Sequence, residues 1–557
     1  GSSSGSCIDH FRLCGPEPAD LLGMPDAQPS TPLQTPPPTL ILLPGGLCVS
    51  GVALWAVRLS SALAERGGQV TLVLFGTTKD SAKLDLPIDP RVRVVDLGHL
   101  VPIESCQGDL SEYLPTIADE TLRLTRFGTV AVLPNQHGDC YGIAAALTQT
   151  LGDRVRVIGT AHSDNAYDLR LLSHYAPMLT RLVAVSKTLE AEARSALPMR
   201  ANDVAHIPYG VPMPELDVGR ATMTDRPIRL LYAGRYEHRQ KRVMALPRLA
   251  ELLTQSGIDF ELTIAGDGPA RRELEDACAN MQRVRVLGAQ SQDELAQLLG
   301  AHDAMVLPSR YEGLSIAMLE SMARGCVPIV TRCDSGSAEA IEDGVSGLIA
   351  DVLPDEDELA AAKGLFSCVR QALQLDLSVL AKGAAGRSRD RYTLEQHAGR
   401  WCELLSEAVR DEVRCWPATR PCAFTSSVGG VSGSVPEGGG ESLKRVLAEL
   451  GGRAIVIHGG GRHTLDLAHL FAHADVRAVV DDDPARFGER LLGWKIISPH
   501  EAGMTGATDV VISSSMHEDA IWARRAVYEE QGLRVHRLYQ AASLETKPRR
   551  MASSTRP

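Results

Sequence analysis

The 557-residue sequence contains no run of eighteen apolar residues, so no helix is expected to cross a bilayer. No basic stretch followed by an apolar one marks its start, and no signal peptide is expected. None of its 12 cysteines forms a Cys-x-x-Cys pair. That excludes a zinc site of clustered thiolates and a small disulfide scaffold; the cysteines read as reduced, buried small residues. Basic excess is missing too: 57 Lys+Arg against 69 Asp+Glu leave a net charge of −12. Broad binding to nucleic acid or anionic membrane is therefore not expected, and any membrane contact is at most peripheral. One basic cleft remains compatible with that balance.

What is present is an ordinary globular composition, 44% apolar and 23% charged, in a length that suggests three or four domains. Gly1–Ser6 (GSSSGS) reads as a tag, and residues 16–38 hold eight prolines. Residues 1–38 are expected to be a disordered leader. From Thr39, short apolar runs alternate with segments of helical spacing: TLILLPGG, QVTLVLFG, TVAVLPN, RVIGTAH and RLVAVS. This alternation predicts a parallel sheet covered by helices over residues 39–215. A second series, IRLLYAGR, FELTIAGDG, VRVLGA, AMVLPS and VPIVTR, predicts another such domain over 216–412, ending in an amphipathic helix at 392–410. Residues 413–440, rich in Ser, Gly and Pro, read as a flexible linker. A third α/β unit is expected over 441–543, followed by a tail at 544–557.

Four groups of residues sit where a strand gives way to a helix. Gly45 and Gly46 open a Gly-rich turn whose amides can approach an anion, although a plain strand-to-helix turn explains them too. Gly234 and Arg235 follow a strand, with Lys241 six residues on; two cations there suit a diphosphate. A solvated basic face is the alternative, since Arg239 and Arg242 lie nearby. Glu312, Gly313, Leu314 and Ser315 precede a helix carrying Glu320; amides at the helix start can meet a phosphate, and carboxylates accept from sugar hydroxyls. The alternative is a helix-end charge plus a surface Glu. His162 ends the apolar strand before it, and a structural histidine is its alternative reading. All four groups fall at carboxyl ends of predicted strands, split between two sheets, which points to a ligand in a cleft between domains.

Residues 39–410 resemble a retaining glycosyltransferase of GT-B fold, glycosyltransferase family 4 type. The resemblance rests on LLPGGLCVSGVALWAVRLSSALAERGGQVTLV, GTAH, VAVSKTLEAE, IPYGVP, LYAGRYEHRQKR, LTIAGDGP and SRYEGLSIAMLESMARGCVPIVT, above all on the Glu-x7-Glu spacing of Glu312 and Glu320. It implies two Rossmann-like domains facing a cleft, a UDP- or GDP-sugar donor in the second and an acceptor in the first. By that likeness Arg235 and Lys241 hold the diphosphate. Glu312 binds sugar hydroxyls, helped by the amides of Gly313, Leu314 and Ser315, and Glu320 takes the ribose. His162 sits near the reacting carbon, Gly46 approaches the diphosphate from the first domain, and Leu287 and Gly288 lie near the base. The implied reaction is a same-face displacement with no metal and no further cofactor. The acceptor is open between a lipid-linked glycan, a small molecule and a protein. A cytoplasmic location is expected. A nucleotide-sugar epimerase, a phosphorylase or a non-catalytic nucleotide-sugar scaffold are the competing readings.

In the third unit Gly459 and Gly461 follow a strand, and Asp481 to Asp483 end the next, about twenty residues on. The spacing is similar to a dinucleotide fingerprint, with Thr464 in place of its third Gly. A second nucleotide site at Gly459, Gly461 and Asp481 is one reading. An accessory Rossmann-like domain for partner contact or homo-oligomer formation is the other.

Overall fold

The computed structural model describes residues 35–77, 84–214, 226–422 and 439–539, apart from breaks of one to three residues. The tag and most of the leader, the linker from 423 to 438, Gly461, Asp483 and the tail from 540 lie outside the described residues. The first domain is a seven-stranded parallel sheet of β1 (Thr39–Leu43), β2 (Val70–Phe75), β3 (Arg93–Leu97), β4 (Val130–Pro134), β5 (Val155–Ala161), β6 (Leu179–Ala184) and β7 (Val204–His206), in the order β3-β2-β1-β4-β5-β6-β7. Its central strands are apolar and buried at every position, as a sheet covered on both faces requires. The order reverses beside β1, which opens a crevice between the carboxyl ends of β1 and β4.

The second domain repeats the design with β8 (Ile228–Ala233), β9 (Phe260–Ala265), β10 (Val284–Val286), β11 (Ala304–Leu307), β12 (Val327–Thr331) and β13 (Leu348–Ala350), ordered β10-β9-β8-β11-β12-β13. The third sheet holds β14 (Ile455–His458), β15 (Val476–Val480), β16 (Arg490–Leu491), β17 (Trp494–Ile497), β18 (Asp509–Ile512) and β19 (Arg534–His536), ordered β16-β17-β15-β14-β18-β19, with β16 antiparallel to β17. This is the expected pair of Rossmann-like domains with a smaller Rossmann-like unit appended.

The chain crosses between the first two domains twice. The returning helix, Leu394–Ala408, starts at a reciprocal cap between Thr393 and Gln396. Its Trp401 packs 5.7 Å from Trp55 of the first-domain helix Gly51–Glu65. The outgoing strand and the returning one are joined: Val211 bridges Thr393, donating to Tyr392 O (2.8 Å) and accepting from Leu394 N (3.2 Å). One apolar cluster runs from β1 through the helices Gly51–Glu65 and Leu394–Ala408 into the second domain.

Two boundaries differ from expectation. Pro36 and Pro38 are already buried, and Pro38 O accepts from Ala131 N of β4 (2.9 Å), so the first domain starts inside the stretch read as leader. Residues 413–422, read as linker, strap onto the first domain. Trp416 is buried there, its amide donating to Thr148 Oγ1 (2.9 Å), and Tyr175 Oη donates to Cys422 O (2.9 Å). A large apolar ring outweighs the polar composition around it.

Candidate active site

The carboxyl ends of β5, β8 and β11 bring the expected residues together. Ser315 caps the helix Ile316–Ala323, its hydroxyl accepting from Met318 N (3.3 Å), so Gly313, Leu314 and Ser315 form the approach to a helix N-terminus. Glu312 is buried beside them and paired with Lys241, with Gln240 Nε2 3.5 Å from its other oxygen. Arg235 stands exposed after β8, its carbonyl accepting from Tyr232 Oη (2.8 Å). Gly234, Leu287 and Gly288 line neighbouring strand ends. Gly234 N donates to Ala265 O, Leu287 O accepts from Tyr236 Oη (2.5 Å), and Gly288 O accepts from Gly266 N (3.1 Å).

Arg242 is not part of a solvated basic face, whereas Arg235 and Arg239 are exposed. It is fully buried with φ +43°, and its guanidinium donates to the carbonyls of Pro308, Ser309, Leu353 and Glu356. It splints the segment that presents Glu312. Glu320 is no surface residue either: it is 3% exposed.

The first domain approaches from the other side. A Cβ on Gly313 would lie 2.1 Å from the carbonyl oxygen of His162, so only glycine allows the two domains this contact. Gly45 and Gly46 adopt φ +76° and +56° in the turn after β1, a conformation that side chains disfavour. Next in the chain, Gly51 lies against Ile316.

The His162 ring is held in the core. Asn135 Nδ2 donates to Leu42 O and Leu133 O (3.0 Å each), which leaves Oδ1 to accept from His162 Nε2 (2.9 Å). Tyr209 Oη then donates to Nδ1 (2.7 Å). Trp55 sits edge-on to the ring at 4.8 Å. Burial lowers the imidazole pKa to about 3, so near neutrality the ring is neutral, with its one N–H given to Asn135 and its other nitrogen accepting from Tyr209. The histidine positions the strand end that faces Gly313. Asp168 secures the same turn by accepting from the amides of His162 and Ser163 (3.2 Å each).

Asn135, Tyr209, Trp55 and Arg58 were not among the candidates read from sequence. Arg58 belongs to the helix Gly51–Glu65 and reaches across to Glu320 at 2.5 Å. The available signal was helical spacing, since Gly51, Trp55 and Arg58 share one face of that helix.

In the third domain Gly459 has φ +127°, and a Cβ there would meet Ser513 O at 2.5 Å. The Asp481 carboxylate accepts from Arg486 (2.7 Å). Among the described residues no group of His, Cys, Asp or Glu is arranged to hold a metal ion, and no helix is long and apolar enough to cross a membrane.

Residues 49–213 match the family described as Glycosyltransferase Family 4, and residues 227–365 match Glycosyl transferases group 1; together they cover more than half of the sequence. These two stretches are glycosyltransferase domains of the two families. Curated relatives include the alpha-D-kanosaminyltransferase of Streptomyces kanamyceticus, 38% identical over 133 residues, which are 23% of this chain and 34% of the relative. The glycogen synthase of Mycobacterium tuberculosis is 36% identical over 166 residues, 27% of this chain and 39% of the relative. The chain thus spans about a third to two fifths of the length of these curated relatives. Among solved structures, a glycosyltransferase from Rickettsia africae aligns with a TM-score of 0.53 at 15% identity, over 68% of this chain and 100% of its own. The sucrose-phosphate synthase of Thermosynechococcus elongatus aligns at 0.51 and 18%, over 67% and 98%. At such identities the likeness is one of fold, the GT-B fold.

Proposed function

We propose that this chain transfers a sugar from a nucleoside diphosphate sugar to an acceptor held by its first domain, with retention of configuration. The observation that carries the reading is the Lys241–Glu312 pair beside a capped helix N-terminus, flanked by exposed Arg235 and faced by His162 of the other domain. Breaking the bond between sugar and diphosphate leaves negative charge on the phosphate and positive charge on the sugar. Lys241, paired with Glu312, and the amides of Gly313 to Ser315 stand ready where the anion develops, with exposed Arg235 beside them, and charge placed in advance is the most effective electrostatic arrangement available. Glu312 orients the sugar through its hydroxyls. The neutral, fully bonded His162 ring supplies no base, so the acceptor proton passes to a donor phosphate oxygen on the same face. For the third domain, the engagement of Asp481 by Arg486 supports the accessory reading over a dinucleotide site.

The test is thermal unfolding with UDP, GDP, ADP, CDP and NAD, each alone, followed by nuclear magnetic resonance of the anomeric product. A ligand at a hundred times its dissociation constant stabilises by about 2.7 kcal/mol. One nucleoside diphosphate should shift the transition, and Arg235→Ala should abolish the shift. Glu312→Ala should lower transfer by orders of magnitude in a folded protein. Wild-type turnover in that variant, or an inverted product, refutes the reading.

A further inference from the structure

The helix Gly51–Glu65 follows the Gly-rich turn of the first domain, yet one of its residues completes a site on the second. Gly51, Trp55 and Arg58 lie at i, i+4 and i+7 and face the second domain and its crossing helix. A Cβ on Gly51 would lie 3.8 Å from Ile316 Cδ1, Trp55 packs on His162 and Trp401, and Arg58 reaches Glu320 and Gln292. One guanidinium nitrogen of Arg58 donates both to Glu320 Oε1 (2.5 Å) and to Gln292 Oε1 (3.2 Å). The side chains of Arg58 and Glu320 are 9% and 5% exposed. The other terminal nitrogen of Arg58 is buried without a hydrogen-bond partner. A buried guanidinium nitrogen left bare is costly unless something meets it.

This inference rests on the donor-site reading above, in which Glu320 receives the ribose. Arg58 occupies one oxygen of that carboxylate and leaves the second. It is anchored in the first domain, so the carboxylate is set for a diol only when the domains are together. We propose that Arg58 is a positioning residue for the nucleoside: from the first domain it fixes the rotamer of Glu320, and its bare nitrogen donates to the ribose hydroxyls. Donor recognition is then shared by both domains, with the ribose held only across the cleft. The fork matters here. A guanidinium holds its donors in a planar fork that can serve Glu320, Gln292 and a hydroxyl at once, whereas an ammonium is a point charge on a shorter reach.

The experiment compares dissociation constants of UDP, GDP and ADP with those of their 2′,3′-dideoxy analogues and of inorganic pyrophosphate. It uses the full-length wild type, Arg58→Met and Arg58→Lys. Wild type should bind its preferred nucleotide at least about tenfold more tightly than the dideoxy form, the scale of one or two hydrogen bonds to charged groups. Arg58→Met should bring that ratio to within about twofold of unity while pyrophosphate binds as before. Arg58→Lys should recover part of the ratio. Pyrophosphate binding doubles as the check that the second domain is intact. If wild type discriminates and Arg58→Met still does, or loses ribo and dideoxy forms in parallel, the role given to Arg58 is wrong and the donor site stands. If wild type binds none of the nucleotides, the donor-site reading falls and this inference with it.

Discussion

Gly313→Ala tests the cleft most directly. The added methyl would lie 2.1 Å from His162 O, 2.8 Å from its carbonyl carbon and 3.0 Å from Ser163 Cα, all backbone of the other domain. No side chain can swing aside. Gly313 cannot retreat into its own domain either, because a Cβ on Gly336 would come within 2.2 Å of Gly313 O, so their backbones are already close. Reaching the 3.4 Å of ordinary contact needs a shift of about 1.3 Å, and the two domains must part to supply it. Misplacing reacting groups by about 1 Å costs on the order of 100-fold in rate. Overpacking of this kind destabilises by about 1–3 kcal/mol, which leaves the domains folded. The assay is single-turnover transfer with the donor found by thermal shift, alongside a melting curve. We expect a fall in turnover of about two orders of magnitude with a shift of only a few degrees in the melt. Turnover within threefold of wild type would show that the contact between His162 and Gly313 does not set the geometry of the reaction.

Four further outcomes follow from the same structure. Gly399→Ala lies within the helix Leu394–Ala408 with nothing within 4 Å of its new methyl, and should stabilise by about 0.5–1 kcal/mol in chemical denaturation without changing turnover. Arg242→Met strips four carbonyls of their donor, those of Pro308 and Ser309 in fully buried bonds, and should destabilise the second domain by about 3 kcal/mol, read as an earlier denaturation midpoint. His162 and His397 are lowered by burial to about 3 and about 4, so below pH 6.5 the unfolded chain takes up protons that the native one refuses. Stability should therefore fall on acidification from pH 6.5 toward pH 4, by up to about 1.4 kcal/mol per pH unit for each histidine, and His397→Gln should flatten the slope of urea-derived free energy against pH. Tyr209→Phe removes the donor to His162 Nδ1 and should lower turnover while nucleotide affinity holds, measured by separating kcat from KM.

How far the sequence carried depended on what each residue's pattern could express. The central strands announced themselves as continuous apolar runs because both faces are covered. β3 did not: Arg93–Leu97 is an edge strand, largely exposed, and reads as mixed. β7 and β13, at three residues each, are too short to carry a period. The helix starts were close to legible, since Ser50, Ser186 and Ser315 all cap with their hydroxyls. Candidates for the site were readable where chemistry and spacing coincide, in Arg235, Lys241, Glu312 and Glu320. It was not readable where a residue acts through tertiary partners. Arg242 has the composition of a surface cation and is buried only because four carbonyls converge on it. Arg58 lies mid-helix with no motif around it, and its partner is 262 positions away.

The joined crossing strands carry a mechanical consequence. Because Val211 pairs with Thr393 through hydrogen bonds to Tyr392 and Leu394, the second domain is fastened to the first at one paired pivot rather than at two separate points. A body held at a single pin keeps few degrees of freedom: it can swing, but it cannot slide. Opening of the cleft should thus follow one rotational coordinate, with the sweep largest at residues farthest from the pin. Gly210 sits at the pin itself, where a Cβ would come within 2.6 Å of His397 Cβ and 2.7 Å of Thr393 O. A methyl there acts as a wedge in the hinge and biases its resting angle, although it touches neither substrate nor any residue that does.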